Sequence, residues 1–107
     1  MAVSYNAPVV SYQQVRQWAE KWQWRDAKSG IITTGYKPPH LATEKARVPF
    51  FVEYVTLKGV VERGHVVCLK VYPRRNQRMV QFVESREIRI IADYLILQID
   101  GTRFVTR

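Results

Sequence analysis

Cysteine is almost missing from this chain, because Cys68 is the only one among 107 residues. A single cysteine excludes an intramolecular disulfide framework and any zinc site built mainly from thiolates. Charge is missing from the start as well: no charged residue precedes Arg16, whereas a secretory signal opens with basic residues. No apolar run reaches the length that spans a bilayer. We therefore expect a cytoplasmic protein that does not insert into membranes.

Glycine and proline are also scarce, with five of each, while 47% of the residues are hydrophobic and 12% are aromatic. This composition excludes a disordered tail and supplies the core of one domain, residues 1–107. Acidic residues are few too, since 9 Asp and Glu face 17 Lys and Arg and leave a formal charge of +8. A field of this sign favours nucleic acid or another polyanion as a partner.

The first thirty residues predict an uncharged arm followed by one helix. Residues 1–10 carry no charge, so we expect a lead-in arm that forms a short edge strand or an oligomer contact. Ser11 and Gln14 have the spacing of a capping box, and Gly30 is typical of a helix C-terminus. The sequence therefore predicts an amphipathic helix over 11–29, whose apolar stripe is Tyr12, Val15, Trp18, Ala19 and Trp22.

The second half of the chain predicts strands. Residues 30–49 are interrupted by glycines and by Pro38-Pro39, which indicates an irregular connection. Residues 50–107 are rich in aromatic and β-branched types and predict five strands in a meander, with a tight turn at Arg63-Gly64. A bend is expected near Ala92-Asp93, and Asp100-Gly101 predicts a hairpin that sets Gln98 opposite Arg103.

The fold predicted from this order is α+β, with an N-terminal amphipathic helix packed on a five-stranded antiparallel meander. Five short, bent strands bury their apolar faces best by curling into a small barrel, with the helix over one open end or face. This architecture resembles the SH3-like and Sm-like small barrels. The resemblance concerns the order of elements only.

Residues for catalysis are scarce. His40 and His65 lie in unrelated contexts, and neither opens a zinc-protease pattern. Cys68 falls inside a predicted strand, where a free cysteine is usually a small buried hydrophobe and not a nucleophile. Asp93 and Asp100 each suit a turn. We therefore expect a protein that is not an enzyme and has no cofactor.

Basic residues carry the main functional indication. Three arginines stand close together on a predicted hairpin connection, and guanidinium groups suit phosphate oxygens. Amide side chains beside them have the groups that hydrogen-bond to base edges. The alternative is an ordinary solvated turn. This candidate loop consists of Arg74, Arg75, Asn76, Gln77 and Arg78.

A second basic group lies on the predicted helix, where Lys21, Arg25 and Lys28 share one surface stripe. Trp24 points away from the apolar stripe and is expected either to stack a base or to be covered by the 30–49 passage. Tyr36 is a second candidate for stacking, or for covering Trp24.

Two functions remain open. The first is a non-catalytic protein that binds single-stranded RNA or DNA through a basic face. The second is a structural subunit that forms a homo-oligomer or part of a larger particle, with the uncharged arm as a contact. Contact of the basic helix with an anionic membrane surface is a weaker third alternative.

Overall fold

The computed structural model describes residues 9–105, and this part of the chain forms ten strands and one short helical segment. The helical segment is a 3-10 turn (Tyr12–Gln14) followed by α1 (Arg16–Ala19), and further 3-10 turns lie at Pro73–Arg75 and Asp93–Leu95. The strands are β1 (Val9–Ser11), β2 (Trp22–Asp26), β3 (Ile32–Gly35), β4 (Ala42–Arg47), β5 (Phe50–Val55), β6 (Val61–Tyr72), β7 (Gln77–Phe82), β8 (Ile88–Ala92), β9 (Ile96–Ile99) and β10 (Thr102–Val105).

The strands form two sheets. The main sheet has seven strands in the order β1-β10-β9-β5-β6-β7-β8, and the smaller sheet has three in the order β3-β2-β4. All neighbours are antiparallel except β1 and β10, which run parallel. Because β1 pairs only with β10 among the described residues, the last residues of the uncharged arm form an edge strand, and residues 1–8 lie outside the described part.

The main sheet is strongly curved. Strands β8 and β9 are joined only by Asp93–Leu95, although β5, β6 and β7 lie between them in the sheet. In a flat sheet four strand spacings are about 19 Å, which is more than about 14 Å that such a connection can span. The core fills the concave side, and its most deeply buried members include Ala19, Val52, Val66, Cys68, Val80 and Ile99.

The predicted fold class is wrong. Residues 9–105 are mostly β-structure, and within them the edge strands β1 and β8 do not pair with each other, so the sheet stays open and is not a closed five-stranded barrel. The predicted helix over 11–29 ends at Ala19, and its second half is strand β2. The predicted irregular connection 30–49 contains β3 and β4, which pair with the two sides of β2.

A local turn explains why the helix ends early. The Asp26 carboxylate accepts hydrogen bonds from the N–H groups of Lys28 (2.7 Å) and Ser29 (2.9 Å). Gly30 follows with a φ of 73°, a conformation that favours glycine. This turn brings β3 beside β2, and the ladder between them satisfies the backbone groups that a helix would otherwise have satisfied.

Two turn predictions for the C-terminal half are confirmed and one is wrong. The expected bend at Ala92-Asp93 is the 3-10 turn between β8 and β9, and the hairpin at Asp100-Gly101 is confirmed with Arg103 opposite Gln98. The tight turn at Arg63-Gly64 is wrong, because Gly64 lies inside β6 opposite Val52. No described helix is both long and apolar enough to cross a membrane.

Residues 21–48, which hold the smaller sheet, project from the main sheet, and we call them the extension. None of these residues is buried. The Cα extents of 54 × 30 × 28 Å and the radius of gyration of 15.2 Å describe an elongated shape, since a compact chain of this length has a radius of about 13 Å. The extension therefore has no hydrophobic core of its own, and burial of apolar side chains does not explain why the chain keeps it.

Candidate functional site

The pleat of β2 separates its side chains onto two faces of the extension. Successive strand residues point to opposite sides, so Trp22 and Trp24 share one face while Gln23 and Arg25 share the other. Residues directly opposite one another in the ladder share a face as well. The face that carries both indoles, here called the tryptophan face, consists of Trp22, Trp24, Thr33, Gly35, Lys45 and Arg47.

At the root of the tryptophan face, the Trp22 indole is covered by Arg47. The Arg47 guanidinium carbon lies 4.1 Å from the centroid of the indole ring, which is a cation–π contact. Arg47 Nη1 also donates to the backbone carbonyl of Glu20 at 2.7 Å. This pair is therefore held in place and fixes the extension to the end of α1.

Further out, the Trp24 indole lies over Gly35. A Cβ atom added at Gly35 would stand 2.7 Å from Cη2 of that indole, so the ring occupies space that any other residue would fill. Trp24 is half-buried and keeps part of its surface open to solvent. Lys45 stands directly opposite Trp24 on β4. The result is an aromatic ring with a cationic neighbour on an otherwise solvated sheet.

Charge is concentrated on the extension. Residues 21–48 hold six Lys and Arg against two acidic residues, which gives four net positive charges, or half of the formal +8 of the chain. Hydrogen bonds from the backbone of Ser29 and Lys28 lower the pKa of Asp26, so this acid is ionised but occupied by its own turn. Five of the six basic side chains of the extension make no ion pair with any residue of the 9–105 range; one is Arg47, which covers Trp22, and the others are Lys21, Lys28, Lys37 and Lys45.

The opposite face of the extension is less basic. Arg25 Nε lies 3.7 Å from a carboxylate oxygen of Glu44, and its Nη1 donates to the carbonyl of Gly30 at 3.2 Å. A shallow pocket of about 230 Å³ lies beside this pair, with Ile32 and Ala46 in its lining. Arg25 is thus placed on the side away from Trp24, and it is not on one helical stripe with Lys21 and Lys28.

Arg78 is a structural residue, although the sequence suggested a phosphate contact. Its side chain is only 3% exposed; Nε and Nη2 donate to the two carboxylate oxygens of Asp93 at 2.8 and 3.1 Å. Nη1 donates to Glu20 at 3.0 Å. Burial lowers the pKa of Arg78, but the hydrogen bonds and charge of Asp93 outweigh it, and the pKa stays above its ordinary value. Arg78 has no face left for a ligand.

The other four residues of the candidate loop lie in different surroundings. Arg74 and Arg75 are exposed on the 3-10 turn between β6 and β7, and neither makes an ion pair within the described residues. Asn76 is left-handed, with a φ of 50°, and its carbonyl accepts the Asp93 N–H at 2.8 Å. Gln77 is half-buried at the start of β7 and lines a cleft between β8 and the turn that joins β5 and β6.

Tyr36 joins the extension to the helix. Its hydroxyl donates to the carbonyl of Gln17 at 2.7 Å, and the Arg16 guanidinium carbon lies 5.8 Å from its ring centroid. Gly35, and not Tyr36, is thus the residue of the 30–49 passage that lies against the Trp24 ring. Sequence reasoning missed Lys45 and the placement of Trp22 with Trp24; the alternation of residues 22–25, aromatic and polar in turn, was the available signal.

Arg78 links the main sheet to the start of the extension. Arg78 lies on β7, three residues after Arg75, and its partner Glu20 immediately precedes the extension. A buried ion pair therefore connects β7 to the residue from which the extension begins.

No family model matches this chain, and no curated protein or solved structure shows significant similarity to it. Within residues 9–105, no group of three His, Cys, Asp or Glu side chains is arranged to hold a metal ion.

Proposed function

We propose that this protein is a non-catalytic binding protein that holds single-stranded nucleic acid, RNA or DNA, on the tryptophan face of the extension. Trp24 stacks a base, Lys45 meets the phosphate beside it, and the other unpaired lysines of the extension hold the backbone. We place this activity in the cytoplasm. The proposal does not depend on a cofactor.

The observation that carries the proposal is that Lys45 stands opposite the half-exposed Trp24 on a sheet in which no residue is fully buried. Proteins that bind single strands without strong sequence preference combine aromatic platforms with a positive surface along the backbone. Trp24 is already positioned by its contact with Gly35, so little side-chain freedom is lost when a base stacks on it. A solvated three-stranded sheet with half of the net charge is suited to contact a partner.

Arg74 and Arg75 extend the proposed surface toward the main sheet. Both are exposed and free of ion pairs within the described residues, and Arg78, three residues after Arg75, is bonded to Glu20 beside the extension. Arg25 contributes less, because Glu44 lies within ion-pair distance. The proposed interface leaves out Arg78, whose charge is neutralised inside the protein.

The test is a binding titration with labelled oligo-dT and oligo-U of about 20 nucleotides, followed by fluorescence anisotropy. If Lys21, Lys28, Lys37 and Lys45 each neutralise one phosphate, the logarithm of the binding constant falls with the logarithm of salt concentration at a slope of about −3, and of about −4 if Arg74 and Arg75 do so as well. Trp24→Ala removes the stacking platform, so Kd rises about 5- to 150-fold, and Trp24→Phe restores part of the loss.

Matched variants separate stacking from charge. Lys45→Gln lowers the salt slope by about 0.7, whereas Lys58→Gln, an exposed lysine in the turn between β5 and β6, leaves the slope unchanged. Gly35→Val displaces the indole and weakens binding without removing any charge. Affinity that does not depend on salt, or that survives Trp24→Ala unchanged, would refute the proposal.

A further inference from the structure

The far edge of the main sheet carries a second surface. Strand β8 pairs with β7 and has no other strand neighbour among residues 9–105. Its side chains Ile88 and Ile90 are 50% and 55% exposed, although both are large and apolar. Edge strands usually carry charged side chains, proline or a bulge that discourages pairing with another strand. β8 contains no proline, and its one charged residue, Arg89, is paired with Glu87 and Glu62.

The backbone of β8 is available for a further ladder. The N–H of Phe82 donates to the carbonyl of Glu87 at 2.9 Å, and alternate residues of an antiparallel strand bond to the same neighbour. Arg89 and Ile91 therefore face β7, while the backbone groups of Ile88 and Ile90 face outward. The Ile88 carbonyl does face outward but is already occupied, because it accepts a hydrogen bond from the Arg89 side chain at 3.0 Å. The outward groups open to a further strand are therefore centred on Ile90.

An apolar cleft of about 520 Å³ lies beside this edge, between β8 and the turn that joins β5 and β6. Two of its lining residues, Leu57 and Val60, are 87% and 57% exposed. Leu95 and Ile90 line the cleft as well. Together with Ile88, these side chains form an apolar surface next to the outward-facing backbone groups of Ile90.

Two of the three charged residues that line the cleft, Arg89 and Glu62, are already paired. Arg89 contacts the carboxylate of Glu87 and lies 3.7 Å from that of Glu62. The Tyr54 hydroxyl donates to Glu62 at 2.5 Å, and its burial, followed by the effect of Glu62, raises the pKa of Tyr54. Lys58 is the one cleft-lining charge without an ion pair in the described residues. This surface therefore offers little charge to attract a strongly acidic or strongly basic partner.

We infer that the partner of this edge is a second copy of the chain. Two β8 strands pair antiparallel about a two-fold axis, with Ile90 of each copy opposite Ile90 of the other. This contact gives the β8 edge of each copy a strand partner, and it covers the exposed isoleucines of both copies. For a chain of charge +8, self-association needs a surface without net repulsion, and the paired charges beside β8 provide it. This inference is independent of nucleic-acid binding on the extension.

The experiment measures molar mass by sedimentation equilibrium and light scattering of the full chain over micromolar to near-millimolar concentrations. The wild type is expected to move from 12.6 kDa to twice that mass. Ile90→Lys places a charge against its counterpart in the second copy and holds the protein at the monomer mass. Leu41→Lys is the control, because Leu41 is 68% exposed on the extension, and it leaves dimerisation unchanged.

Two further readouts keep the inference testable. Ile88→Lys is a second variant at the same edge, and circular dichroism shows whether each variant is folded, which is expected because both side chains are half exposed. Amide hydrogen exchange at Ile90 is expected to slow as concentration rises. A wild type that stays monomeric throughout, or one that associates equally well with Ile90→Lys and Ile88→Lys, would overturn the inference.

Discussion

The buried ion pair between Arg78 and Asp93 gives the sharpest prediction about stability. In the folded chain the Arg78 side chain is 3% exposed, and Asp93 supplies two of its three carboxylate contacts. Asp93→Ala removes both of those hydrogen bonds and leaves a buried guanidinium with Glu20 alone. We expect this variant to be much less stable than the wild type.

The size of the effect follows from burial. Removing one partner of a buried ion pair costs about 3–5 kcal/mol, because the remaining charge stays out of water. Near the midpoint, each kcal/mol shifts the Tm of a domain of about 100 residues by about 4 °C or more, so the expected drop exceeds about 12 °C. Arg78→Met is expected to cost less, because Asp93 and Glu20 are each 14% exposed and can be partly hydrated.

The assay is urea unfolding followed by tryptophan fluorescence and circular dichroism, with a double-mutant cycle between residues 78 and 93. Arg16→Ala is the matched control, because Arg16 forms an exposed pair with Glu20 at 3.4 Å and such pairs contribute about 0–1 kcal/mol. If Asp93→Ala loses no more stability than Arg16→Ala, the structural role assigned to Arg78 is wrong.

Two smaller predictions concern titratable groups. The pKa of Asp26 is lowered by backbone hydrogen bonds from Ser29 and then Lys28, so the turn is stabilised above the unfolded pKa of about 3.9, and that contribution is lost as pH falls through the folded value. Asp26→Ala should therefore flatten the acid limb of a stability-against-pH curve, and an unchanged limb would contradict this account. Burial raises the pKa of Cys68, which is fully buried, so a thiol reagent at mildly alkaline pH should label it much more slowly in the folded protein than in urea. Equal labelling rates would mean that the thiol is exposed.

Local sequence signals predicted two turns of the C-terminal half, the Asp100-Gly101 hairpin and the bend at Ala92-Asp93, but not the order of its strands. The Asp100-Gly101 hairpin depends on two residues that accept positive φ, which are 48° and 86° in the structure, so four or five residues are enough to specify it. The bend at Ala92-Asp93 is visible as a shift in the alternation of apolar residues. Both features show in the local sequence, although distant residues also hold them: Asp100 exchanges hydrogen bonds with Phe51, and Asp93 is bonded to Arg78.

The N-terminal half could not be predicted in the same way. The spacing of Trp18 and Trp22 suits a helix, whereas Trp22, Trp24 and the polar residues between them suit a strand, and the two patterns overlap. The choice depends on β3 and β4, which lie later in the chain and pair with β2 from both sides. Such tertiary pairing overrides a local helix preference.

The residues of the candidate site were only partly predictable, because their placement also depends on strands that lie far apart in the chain. Trp24 and the unpaired lysines were visible as residue types, but their shared face depends on the register of β2 with β4. Arg78 resembled its neighbours Arg74 and Arg75 in sequence, and only the structure shows that it is turned inward.

Composition and short motifs by themselves determined the charge of the protein, the presence of a single cysteine, and the hairpin at Asp100-Gly101, because these depend on residue types and on neighbours a few positions apart. Tertiary structure alone decided which cations are free. Arg78 meets Asp93 across 15 residues and Glu20 across 58. Whether a guanidinium faces water or a carboxylate is set by such distant partners, and no local pattern contains that information.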